Sequence, residues 1–227
     1  SRASLMTGRY ALRAGLPGNL GPGSEGGLPL SEITMADLVK DLDYATMAIG
    51  KWHLGHSEPQ WMPTSRGFDH YFGLLYSNDM RRPWVQTDVP LRLYRDLEAL
   101  PEEVDQDQLT VRYTEEALSF IRENESSPFF LYLAYSMPHL PVHTAPRFQG
   151  QSIAGLYGDV IETIDWSVGS ILSLLRELEI DDSTLVVFTS DNGPWLNLPD
   201  RMLQEGNERW HAGSPGPLNG AKGTSLE

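Results

Sequence analysis

A long amphipathic segment followed at once by an apolar one constrains this chain most. Residues 154–180, AGLYGDVIETIDWSVGSILSLLRELEI, place Tyr157, Val160, Ile161, Ile164, Val168, Ile171, Leu172, Leu175 and Leu178 at the three-and-four spacing of a helix face. The segment STLVVFTS that follows is apolar without alternation, the pattern of a strand covered on both sides. Strands of that kind belong to parallel sheets, whose connections are helices.

The same alternation runs upstream. RASLMTGRYALRAG reads as a helix already under way at the first residue and closed by Gly15; GLPGNLGPGSEGGLPL is a Gly/Pro loop. SEITMADLVKDLD has Ser31 or Thr34 as candidate caps and reads as a short helix, and YATMAIG as a strand. Residues 56–104 are rich in Pro, Asp, Arg and aromatics, which predicts a long irregular excursion of the functional kind. DQLTVRYTEEALSFIRE is a helix, and Pro128 opens the strand FFLYLAYS. The order predicts an α/β fold: a largely parallel, mixed central sheet flanked by helices, in one domain over residues 1–227.

The chain carries 31 Asp and Glu against 17 Lys and Arg, a formal net charge of -14. That balance argues against nucleic acid and anionic membrane surfaces as partners. A small anionic substrate would need the few cations gathered at one place. With no cysteine there is no disulfide framework and no thiolate metal site. The apolar run around FFLYLAY falls well short of the roughly 20 residues of a membrane helix.

Three polar clusters stand at the ends of predicted strands, where ligands gather in such sheets. GKWHLG sets Lys51 and His53 two apart, on one side of an extended backbone. A fixed cation beside a proton-transfer group suits an anion whose bond is to be broken. Alone, the pair reads better as a solvated lysine and a structural histidine at a strand end. In PHLPVH, His139 and His143 have the spacing of a helical metal pair, but Pro141 between them rules out the helix. One accessible histidine acting as an acid fits better than a two-histidine metal site. TSDNG offers Asp191 and Asn192 as oxygen ligands for a hard cation, or an Asx turn. Lys222, between glycines in NGAKGTSLE, is either a loop lysine or a second cation for the same anion.

Together these stretches resemble the sulfatase family, most closely its arylsulfatase A-like branch, within the alkaline phosphatase superfamily. The family signature C/S-x-P-S-R-x-x-x-x-T-G-R is matched from its fourth position by SRASLMTGR: Ser1, Arg2, Thr7, Gly8 and Arg9. YATMAIGKWHLG is similar to the second signature, with Asp43 where a Gly usually precedes the Tyr. GFDHYFGLLYSNDM, MPHLPVH, GLYGDVIETIDWSVG, TSDNG and GAKGTSLE continue the likeness in the family's order.

The resemblance implies a sulfuric ester hydrolase. Its nucleophile would be a hydrated formylglycine, made by a maturation enzyme from a Cys or Ser three residues before Ser1. The chain is then expected to be an internal fragment of the catalytic domain, inactive alone. The hydrate would attack sulfur, displace the alcohol or phenol, and then release sulfate. By the same resemblance Arg2 would stabilise the hydrate, Lys51 and Lys222 would hold the sulfate oxygens, and Ser77 would contact substrate. His139 would protonate the leaving oxygen and His53 would assist sulfate release. Asp191 and Asn192 would bind calcium, with magnesium as the alternative, alongside an acidic pair outside the chain. A periplasmic, secreted or lysosomal setting is expected of the family. Two rival readings remain: a phosphate or phosphonate monoester hydrolase of the same superfamily, and an inactive binder of sulfated glycans. The substrate, aryl or carbohydrate sulfate, is not legible; a selectivity loop is expected between His56 and Val104, with Trp61 and Trp84 as stacking surfaces.

Overall fold

The computed structural model describes residues 1–205 and 209–224. Its sheet has five strands: β1 (Ala45–Lys51), β2 (His70–Leu74), β3 (Leu93–Arg95), β4 (Glu98–Ala99) and β5 (Phe129–Ala134). Their order is β4-β3-β2-β1-β5, with β1 parallel to both β2 and β5 and an antiparallel margin at β3 and β4. The helices are α1 (Arg2–Thr7), α2 (Met35–Lys40), α3 (Leu109–Glu123) and α4 (Gly155–Glu177). The sheet is therefore mixed and the fold α/β, as the alternation predicts.

The middle strand is buried from Thr46 to Lys51. Side chains of β5 alternate between its two neighbourhoods, as a strand's period of two requires. Phe129 and Leu131 pack with Ile121 of α3 and Leu174 of α4. Phe130 and Tyr132 stack on Phe68, and Tyr132 meets Arg2 of α1. The two long helices meet through buried hydroxyls, with Ser167 of α4 2.5 Å from Thr114 of α3. The buried face of α4 is thus partly polar: Asp159, Thr163 and Ser167 lie on it, while Ile161 is 41% exposed. Asp159 earns its place by accepting from the backbone N–H groups of Gly150, Gln151 and Ser152.

Three sequence expectations need correction, and one choice between two caps is decided. The first helix ends at Thr7, because Gly8 takes a left-handed cap (φ 66°) and returns its N–H to Ser4 O. Of the two candidate caps for α2 it is Thr34 that acts, in a reciprocal capping box with Asp37. The excursion at 56–104 is not wholly irregular, since it contains β2, whose short run HYFGL is built into the sheet beside β1. STLVVFTS forms no strand: among the described residues it has no ladder partner, and Leu185, Val187 and Phe188 are exposed. An apolar run forms a strand only where an edge receives its hydrogen bonds, and periodicity does not reveal the edge.

Near the carboxyl ends of β5, β1 and β2 two glycines leave no room for a side chain. A Cβ on Gly50 (φ 95°) would stand 2.0 Å from Ala134 O, and one on Gly73 1.9 Å from Gly50 O. Beyond this crowding the chain still follows β2: Trp52 N and His53 N donate to Leu74 O and Leu75 O. Asp43, at the turn into β1, has φ 60°, the left-handed conformation in which Gly is unstrained. That explains why a Gly is usual at the position in the family the sequence resembles.

Candidate active site

The carboxyl ends of β2, β1 and β5 lie side by side, and the candidate residues gather there. Lys51 is the last residue of β1 and only 7% exposed. Its Nζ donates to Oγ of Ser77, 3.1 Å away on the segment after β2. Burial, and next the charge of Arg2, lower the Lys51 pKa to about 7. Asp191 and Asp79 act in the opposite sense and Lys222 in the same one.

Arg2 opens α1 and ties the cleft together. Its Nη1 donates to Lys51 O and to Tyr132 Oη, and its Nε lies 3.5 Å from Asp191 Oδ2. That Nε is buried without a hydrogen-bond partner.

His53 has φ 63°, an uncommon conformation for a residue with a side chain. Its Nε2 is 2.8 Å from Leu20 O. A carbonyl only accepts, so Nε2 carries the hydrogen and the lone pair sits on Nδ1. Burial, and then Lys51, push its pKa down to about 3, so the ring is neutral at ordinary pH. The Gly/Pro loop that supplies Leu20 is itself pinned. Leu28 N donates to Leu54 O, Gly26 N to Ser57 Oγ, and His56 Nε2 lies 3.0 Å from Pro22 O.

His139 follows β5, with Nδ1 2.6 Å from Leu140 O and 3.9 Å from Asp79 Oδ1. Nδ1 therefore carries a hydrogen, and Nε2 is the nitrogen left to exchange a proton. Trp195 joins this histidine to Lys222: its ring is 6.1 Å from the His139 ring, and Lys222 Nζ stands 4.9 Å from the ring centre. Lys222 N also donates to Pro194 O.

Asp191 and Asn192 lie beside each other, Asn192 Nδ2 donating to Asp191 Oδ1 at 2.7 Å. Both are exposed. Among the described residues no group of three or more His, Cys, Asp or Glu could hold a metal ion. The pair offers oxygen donors of the type a hard cation takes, as part of a ligand set rather than the whole of one.

The eight residues to which the resemblance gives roles fall in one region. His143 does not: its Nδ1 is 2.8 Å from Asp107. Of the proposed stacking residues, Trp61 receives the Trp52 indole N–H on its carbonyl, and Trp84 accepts from Arg201 in the same way. Ser225–Glu227, the end of the Lys222 motif, lie outside the described residues. Sequence reasoning missed Asp79, Trp195 and Tyr132. Their proximity follows from strand pairing and loop packing, which no local motif encodes.

An α/β domain that gathers three cations and two histidines at its strand ends has the charge and proton donors that a small-anion site needs. The family model described as Sulfatase matches residues 1–223. The chain belongs to the sulfatase family. It is 39% identical to N-acetylgalactosamine-6-sulfatase of Mus musculus, over all of this chain and 45% of that protein. It is 36% identical to arylsulfatase G of Rattus norvegicus, over 97% of this chain and 45% of that one. The chain therefore spans about half the length of these relatives. In solved structures, the PsFucS1 sulfatase from Pseudoalteromonas sp. superposes with a TM-score of 0.83 at 27% identity, over all of this chain and 49% of that one. Ps i-CgsB, solved in complex with k-i-k-neocarrahexaose, gives 0.72 at 32% identity, over 86% and 48%.

Proposed function

We propose that the protein is a sulfuric ester hydrolase acting on an aryl or carbohydrate sulfate. The observation that carries the reading is the convergence of Lys51, Lys222 and Arg2 with His53 and His139 at the carboxyl ends of parallel strands.

Lys51 and Lys222 hold the sulfate oxygens. Both are partly desolvated, so an arriving anion restores the charge that burial disfavours. Ser77, fixed by Lys51, adds a hydroxyl to the substrate side. His139 delivers a proton from Nε2 to the departing oxygen. His53, neutral and with Nδ1 unprotonated, accepts the proton whose removal releases sulfate. Arg2 orients the nucleophile with Nε, the buried donor left without a hydrogen bond. Formylglycine, made by a maturation enzyme from a Cys or Ser three residues before Ser1, would supply the nucleophilic hydroxyl. Asp191 and Asn192 would hold calcium, or magnesium, together with acidic residues outside this chain; the ion supplies positive charge beside the sulfate oxygens. A periplasmic, secreted or lysosomal setting accords with this family, and among the described residues no helix is long and apolar enough to cross a membrane.

Lys51→Ala in the full-length enzyme tests the reading. Removing a cation aimed at the transferring group should lower kcat/KM by roughly a hundredfold or more while the melting temperature stays close to wild type. Near-normal turnover would remove Lys51 from the site.

A further inference from the structure

Asp79 is a buried carboxylate that none of the roles above uses. It is 9% exposed, and its Oδ1 has no hydrogen-bond partner. That atom lies 3.9 Å from His139 Nδ1. The loop is held there deliberately: Nδ2 of the adjacent Asn78 donates to Pro141 O at 2.9 Å and to Gln106 Oε1 at 3.1 Å. Asn78 thus clamps the segment after β2 onto the segment that carries His139.

We infer that Asp79 is the positioning residue of His139, its carboxylate holding the imidazole in the protonated form that serves the leaving oxygen. This rests on the reading of the protein as a sulfuric ester hydrolase. The other charged or titratable groups around His139 are Lys51, Lys222 and His53. Burial first, then the two lysines, lower the His139 pKa to about 4, and Asp79 is the one carboxylate acting against them. In the step itself a nucleophile's oxygen bonds to sulfur while the bond from sulfur to the alcohol oxygen breaks, and the electron pair of that bond goes to the alcohol oxygen. The Nε2 proton passes to that oxygen and leaves His139 neutral. A bound sulfate offsets the lysines, and Asp79 then fixes how readily the ring holds its proton. The 3.9 Å spacing gives a charge contact rather than a hydrogen bond, since Nδ1–H already donates to Leu140 O.

The test uses the full-length enzyme and two sulfate esters: 4-nitrocatechol sulfate, whose phenolate leaves without help, and an alkyl or sugar sulfate, whose alkoxide does not. Asp79→Asn should lower kcat roughly a hundredfold on the alkyl ester and less than about tenfold on the aryl ester. A general acid is needed protonated, so the high-pH limb of kcat should move to lower pH in Asp79→Asn. Asp79→Glu should restore part of both effects. Equal losses on the two esters, or an unmoved limb, would overturn the inference and leave Asp79 a structural or substrate-contacting residue. Should Asp79→Asn not fold, Asp79→Glu decides: a displaced charge must still change the ratio of the two rates, and an unchanged ratio overturns the inference. A wild-type enzyme inactive on every sulfate ester would overturn the parent reading, and this one with it.

Discussion

Lys51 combines two properties that rarely coexist: it is a buried cation, and its ammonium faces other cations. Burial first, then Arg2 and Lys222, push its proton off, and the pKa falls to about 7. In the proposed role, substrate binding needs the charged form. In the free enzyme that form is lost as pH rises through the lowered value, so kcat/KM should fall above about pH 7. A pH profile of kcat/KM checks this; a flat profile from pH 6 to 9 would contradict the assigned environment. Burial acts on His53 in the same direction. Its pKa is depressed, so the unfolded chain binds a proton at pH values where the folded one does not. Its contribution to stability is therefore present above about pH 6.5 and is lost as pH falls toward 3. The same groups are where residue-level reading raised candidates: GKWHLG, PHLPVH and TSDNG stand out by residue type at predicted strand ends, and each alone also has an ordinary structural explanation. Asp79 did not stand out, because nothing in YSND says that a clamp by Asn78 turns its carboxylate toward His139.

At the scale of elements, the site depends on how close three strands can come. Gly50 and Gly73 leave no room for a Cβ between β5, β1 and β2. Gly50→Ala would force a backbone contact at a positive φ one residue before Lys51. It should cost about 3 kcal/mol, at the upper end of overpacking, and reduce activity beyond the loss of folded protein. Denaturant unfolding and specific activity per folded molecule check both parts. Helices α3 and α4 and strands β1 and β5 were legible because each has length and a strong apolar pattern. β2 was not: five residues bracketed by loop-like sequence become a strand through the neighbour they pair with. The reverse holds for residues 184–190, whose pattern is that of a buried strand and whose described surroundings provide no ladder. The short α1 shows a third case, where one Gly cap outranked helical periodicity.

For the whole molecule, the order of motifs carried more than any motif alone. Lys51–His53, His139, Asp191–Asn192 and Lys222 are spread over most of the chain, and each taken singly has an ordinary explanation. A parallel sheet brings strand ends to one side, which is why sequence positions so far apart share a cleft. Net charge fits that picture: in a chain of -14, three cations in mutual electrostatic reach mark the place where an anion is handled. Sulfate and phosphate monoesters are both tetrahedral oxyanions, and cations plus a proton donor serve either. The central claim is therefore tested most directly by measuring kcat/KM of the full-length, matured enzyme on an aryl sulfate and on the matching aryl phosphate. The account predicts release of the phenol with a clear preference for the sulfate, abolished by Lys51→Ala. A preference for the phosphate, or turnover of neither, would contradict it.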